Sequence, residues 1–408
     1  MPLVRSESPS PVPQVRTALE ALRDALLAVI GSDASGESVR GVDLTGRFGI
    51  DLKLAWKLGR IAKAEDPFEI VRYLPGNEGV RIFCEAARSR GIAETLVSEL
   101  AATYSSVKAA GLAWAGDART FELMAAGLAS QRDPRVDLGH RKAHFLSGSY
   151  IWGIRAKSIL RMDILRPAAS GSTAEMLTVR GFIDVERLRG DAPWYVEVPF
   201  CVDDAGTGPL SVTYEPLDPE DKGKGAPFLW KRFCSRDLPR MTAPVSERVP
   251  RVIELPVGAV GVECRFSLVH GALVRGGMPA HRTPGNEVAC LMVKVQTPCE
   301  RAVLDAWVHR DLMAPGWVPT GAMYSVLDGW RGQFSHQNRD RLPIEYDIRE
   351  VATGKRGLKI AGIDFAPDMV DAGFARTGWD RREFRHFRIE IFYPPVPSTM
   401  TFEIALRD

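Results

Sequence analysis

The spacing of apolar residues changes once along the 408-residue chain, near residues 131–145, and that change limits the fold more than any other feature. Before it, apolar side chains recur every three or four residues, as in helices that pack through one stripe. After it, short runs rich in Val, Ile, Tyr, Phe and Trp alternate with polar residues and are cut by Pro and Gly, the pattern of half-buried strands. The expected fold class is α+β and multidomain. It has a disordered N-terminus over 1–14, an all-α domain over 15–130, and a β-rich region over 140–408 built as one large or two smaller, mostly antiparallel β-sandwiches. Pro134 and Gly139 punctuate the boundary.

Within the helical part, Val15, Leu19, Leu22, Leu26 and Val29 form the seam of a first helix that ends at Gly31. A helix start is expected at Pro67, whose missing N–H costs nothing in a first turn. Further helices are expected over Val80–Arg90, over Ile92–Val107 with Ile92, Leu96, Leu100 and Tyr104 on one face, and after Asp117, which caps the last one. Strands are expected from Tyr150–Leu165 and Leu177–Val185 through to Phe384–Tyr393 and Thr399–Ala405.

The formal net charge is only +2, so any affinity for a polyanion has to come from a local patch. The six cysteines are scattered without a Cys-x-x-Cys pair, which points to free thiols in a reducing, cytoplasmic compartment. Met1–Pro13 has the Ser and Pro content of a disordered tail, without the apolar core of a signal peptide. No run of about 18 apolar residues occurs, so no membrane role is expected.

The local patch is found at Val42–Arg60. Leu44 and Phe48 lie on one helical face, and Gly49 stands where a chain leaving a helix needs positive φ. Asp51 can cap a second helix in which Leu54, Leu58 and Ile61 form the apolar stripe, while Lys53, Lys57 and Arg60, with Lys63 beyond, form a basic one. Six Lys and Arg between Arg40 and Lys63 face only Asp43 and Asp51. The stretch resembles the helix-turn-helix of bacterial repressors, with Thr45 at the usually small position, Phe48-Gly49-Ile50 at the turn, and Ala55 and Leu58 at buried positions of the recognition helix. Trp56 and Gly59 depart from that pattern. The resemblance implies double-stranded DNA as a partner, contacted by Arg47, Lys53, Trp56, Lys57, Arg60 and Lys63.

Elsewhere the chemistry is sparse. His140 and His144 are four apart but lack a third metal ligand nearby. Lys222-Gly223-Lys224-Gly225 lacks the spacing of a P-loop, and no Gly-x-Ser-x-Gly occurs. Arg381, Arg382, Arg385 and Arg388 interleave with Phe384, His386 and Phe387, yet strand alternation divides them between two faces. No catalytic residue, metal or cofactor is therefore expected, and the chain does not read as an enzyme. The expectation is a DNA-binding transcriptional regulator with a β-rich sensing or oligomerisation domain. The alternative is an assembly protein whose helical domain docks on a protein partner and whose β-sandwiches stack.

Overall fold

The computed structural model describes residues 10–32, 40–130, 133–197, 213–218, 228–238, 252–255, 257–282, 287–325, 340–352, 354 and 357–408. The expected disordered start over 1–9, most of the Ser32–Glu37 linker, Cys201 and the Lys222–Gly225 loop lie outside them. The chain divides into two units, Met1–Val136 and Asp137–Asp408.

The first unit is helical. Helix α1 (Val12–Gly31) opens just after Pro11 and buries Val15, Leu19, Leu22, Leu26 and Val29, the seam read from the sequence. It starts inside the span expected to be disordered, because a proline-led first turn needs no N–H partner there. Helices α2 (Gly41–Phe48) and α3 (Leu52–Ala62) follow, then a 3-10 segment over Pro67–Tyr73 capped by Asp66. Helix α4 (Asn77–Ser89) ends in a paired motif: Gly91, at φ +77°, donates to the Arg88 carbonyl, and Ile92 donates to the Ala87 carbonyl. Ile92 is thus the buried residue closing α4, and α5 (Glu94–Ala115) starts after it. The buried stripe of α5 is Val97, Leu100, Tyr104, Val107 and Gly111; Leu100 and Tyr104 belong to the expected face, and Leu96 is half-buried against the same core. At Gly111 a Cβ would fall 2.5 Å from the Phe121 ring, so this glycine lets α5 approach α6 (Ala118–Leu128).

The chain then departs from the expected boundary. Helix α7 runs from Pro134 to Trp152 without a break, through the span where strands were expected to begin. Only Phe145 and Ser149 on it are buried, so no apolar stripe announces a helix, and Tyr150-Ile151-Trp152 has strand-like composition. The first strand begins at Ile154.

The second unit is built on a seven-stranded sheet in the order β10-β11-β8-β1-β2-β6-β4. Its long members are β1 (Ile154–Pro167), β2 (Thr173–Arg187), β6 (Phe266–Pro279), β8 (Cys299–His309) and β11 (Phe384–Phe392). The edges are β4 (Thr213–Pro216) and β10 (Ile348–Glu350). Most pairs are antiparallel, but β1 and β8 run parallel, from Ala156 opposite Cys299 to Leu165 opposite Val308. A small sheet in the order β7-β12-β9 comprises Val288–Val295, Ser398–Ala405 and Met323–Tyr324. A separate hairpin pairs β3 (Trp194–Glu197) with β5 (Val252–Leu255).

The central strands are buried almost throughout, their polar residues Arg161, Asp163 and Asp305 included, because both faces of the large sheet are covered. On one face Leu304, Ala306 and Phe387 pack with Leu291, Val293, Phe402 and Ile404 of the small sheet. On the other, Met162, Ile164, Leu177 and Trp307 pack with Met369, Val370 and Phe374 of α8 (Ala366–Thr377). The class is α+β, as expected. The strands nevertheless build one mixed sheet between a small sheet and a helix, a layer that a plain antiparallel sandwich does not contain. No helix among the described residues is long and apolar enough to cross a membrane.

Polar groups inside this unit have measurable consequences. His270 on β6 is fully buried beside the Phe182 ring, and burial, with the positive charge of Arg180, holds its pKa down at about 3. The folded state therefore keeps His270 neutral, while an unfolded chain protonates it near its usual 6.5. This contribution to stability is complete above that pH and declines as pH falls towards 3, by roughly 2–3 kcal/mol between about pH 7 and about pH 4.5. Urea midpoints measured across that range should fall steeply for the wild type and less steeply for His270→Phe. Equal slopes would contradict the assignment.

Candidate nucleic-acid interface

The candidate interface is the pair α2 and α3 with the turn between them. Leu44 and Phe48 of α2 are buried, and the Phe48 ring meets Phe83 edge-on at 5.1 Å. Gly49 follows at φ +67°, donating to the Thr45 carbonyl at 2.9 Å. Ile50 turns back into the core, and Asp51 accepts from the amides of Lys53 at 2.9 Å and Leu54 at 3.0 Å. One glycine, one apolar residue and one cap thus reverse the chain within three residues. On α3 the inward face is Leu54, Ala55, Leu58 and Ile61. A Cβ at Gly41 would lie 3.1 Å from the Trp56 Cα, so the two helices touch where α2 begins.

Because no Cβ-bearing residue sits easily at φ +67°, Gly49→Val is expected to destabilise the helical unit by about 1–3 kcal/mol. The space around Gly49 is open, so the effect isolates backbone strain from crowding. A thermal midpoint equal to that of the wild type would show that the turn tolerates the residue.

The expected contact residues divide into three groups. Lys53, Arg60 and Lys63 are exposed, and Lys57 is half-buried with its ammonium 3.4 Å from the Leu74 carbonyl. Arg60 is held by the Tyr73 hydroxyl, 3.2 Å from Nε and 3.0 Å from Nη2, and its guanidinium lies 5.7 Å from the Trp56 ring. Trp56 is 50% exposed and rests edge-on against Tyr73 at 5.4 Å, so it belongs to the outer face and not to the core. Arg47 points the other way: its Nη2 donates to the Ile30 carbonyl at 2.7 Å, at the end of α1. That bond satisfies a carbonyl left open where a helix stops and ties α2 to α1.

Three neighbours escape a reading of the local stretch. Tyr73 braces both Trp56 and Arg60 from the segment after α3. Leu52 (58% exposed) and Val42 (73% exposed) are large apolar side chains on the same two helices. Leu52, one turn before Trp56, was open to detection from its i, i+4 spacing. Tyr73 was not, because only the tertiary fold brings it to α3. Among the described residues no group of three or more His, Cys, Asp or Glu could hold a metal ion; His144 instead accepts the Val396 amide at 3.2 Å. No family model, curated protein or solved structure matches the chain.

Proposed function

We propose that the helical unit binds double-stranded DNA through α3, and that the chain is a transcriptional regulator whose β unit senses a ligand or holds an oligomer. The observation that carries this reading is the burial pattern of the two helices. Leu44, Phe48, Ile50, Ala55 and Leu58 face inward, while Lys53, Trp56 and Arg60 face outward, as a helix laid into a major groove requires. The local excess of cations supplies phosphate affinity that the nearly neutral chain lacks. Its work is binding and not catalysis, and its compartment is the cytoplasm, in keeping with five described cysteines that are all unpaired. Fluorescence anisotropy with duplex DNA tests the reading: affinity should fall steeply as salt rises. Absence of saturable binding at low salt would end it.

A second reading has its own observation. Val42, Leu52 and Trp56 give the outer face of the motif an apolar share that suits a protein partner better than phosphate. On that reading the chain forms large assemblies whether or not DNA is present, which sedimentation would reveal.

A further inference from the structure

A groove of about 500 Å³ opens between α4 and α5, on side chains that the DNA-binding reading does not use. Its volume falls within the roughly 300–1,000 Å³ of small-ligand sites. Burial separates floor from rim. Cys84 and Tyr104 are buried, and Val80 and Ala101 are half-buried, so the floor is apolar. The Tyr104 hydroxyl is turned away into a 2.6 Å bond to the Pro75 carbonyl, and burial keeps the Cys84 thiol protonated. The rim carries Arg81, Arg88 and Lys108.

The three cations are not equivalent. Arg81 is paired with Glu78 and Glu85, and Arg88 is held by Glu94 through bonds of 2.7 and 2.9 Å. Lys108 has no carboxylate within ion-pair distance among the described residues. Its ammonium donates to Asn77 Oδ1 at 2.7 Å, which leaves the amide nitrogen of Asn77 as a second donor beside it. The rim thus offers one uncompensated positive charge and one neutral donor above an apolar floor. A dianion would gain little from the neutralised arginines and would be repelled by the three glutamates paired with them.

We propose that this groove binds a small organic monocarboxylate, with its carboxylate on Lys108 and Asn77 and its apolar body on Val80, Ala101 and Tyr104. The site is independent of the helix-turn-helix reading, and no DNA enters its test. Isothermal titration of the full chain with 4-phenylbutyrate, indole-3-propionate and 4-methylvalerate should give saturable binding for at least one acid. The corresponding amides and phenyl phosphate should bind at least about tenfold more weakly. Lys108→Met should weaken the acid by about tenfold or more, and Ser105→Trp, which fills the groove from an exposed position, should abolish binding. Both side chains are exposed, so far-ultraviolet circular dichroism should match the wild type. The proposal is overturned if none of the three acids saturates at millimolar concentration, if an amide binds as tightly as its acid, or if both folded variants retain wild-type affinity.

Discussion

Asp305→Ala is expected to destabilise the β unit by about 3–5 kcal/mol, because it leaves a buried guanidinium without its counter-charge. Asp305 lies on β8 inside the covered sheet, opposite Arg388 of β11 in register. Arg388 grips it with both arms, Nε to Oδ1 at 2.6 Å and Nη2 to Oδ2 at 2.7 Å, and His386 Nε2 lies 3.3 Å from Oδ2. Burial alone would raise the carboxyl's pKa, but the hydrogen bonds and charges of Arg388 and His386 outweigh it and hold the pKa below its ordinary value. The group is therefore ionised at neutral pH, and its stabilisation is lost only as pH falls below the ordinary carboxylate range. Arg388 also donates to the Lys359 carbonyl at 2.8 Å, so the pair anchors the segment that leads into α8. Urea unfolding followed by tryptophan fluorescence should show the drop. Asp305→Leu combined with Arg388→Met should recover most of it, since two matched apolar residues leave no charge stranded. A single variant as stable as the wild type would mean that the arginine reaches water.

The same residues show what the sequence could and could not convey. Alternation along β11 correctly put His386 and Arg388 on one face and Arg385 and Phe387 on the other. Yet Arg388 and His386 are buried on an aspartate 83 and 81 positions away, and the His386 ring stacks on Trp307 at 4.1 Å. A polar face in sequence thus became a buried ion pair in the fold. Pairing across that distance depends on strand order, which local pattern does not encode. The parallel register of β1 and β8 escaped for the same reason.

Local signals worked where the cause is local. Gly49 and Asp51 determine their turn through a positive φ and two amide bonds, and both features depend on residues within five positions. Helix α7 failed the same test because two buried residues make no stripe. Helix α8 differs: Ala366, Met369, Val370, Gly373 and Phe374 are a regular stripe, with a proline near the start and Gly378 at φ +72° at the end. That signal is legible, but it sits among strands and contains a glycine, and it has no counterpart among the expected elements. In the candidate interface, helical periodicity set Lys53, Lys57 and Arg60 on the face opposite Leu54, Leu58 and Ile61, but whether that face and Trp56 are exposed depends on the fold. So does the diversion of Arg47 to the Ile30 carbonyl, since it depends on how α2 meets α1.

The central claim is that the outer face of α3 contacts phosphates, and it is tested most directly by replacing Lys53, Lys57 and Arg60 together with Ala. These side chains lie opposite Leu54, Leu58 and Ile61, and exposed substitutions usually shift stability by no more than roughly 0.5 kcal/mol each. The bonds from Arg60 to Tyr73 and from Lys57 to Leu74 add a modest loss that a melting curve will register. The comparison is a fluorescence anisotropy titration of both folded proteins with duplex DNA at two or more salt concentrations. If the three cations contact phosphates, the variant should bind more weakly at every sequence, and the slope of log affinity against log salt should flatten by up to about three. Indistinguishable curves for wild type and variant would contradict the account and leave the stripe a solvated helical face.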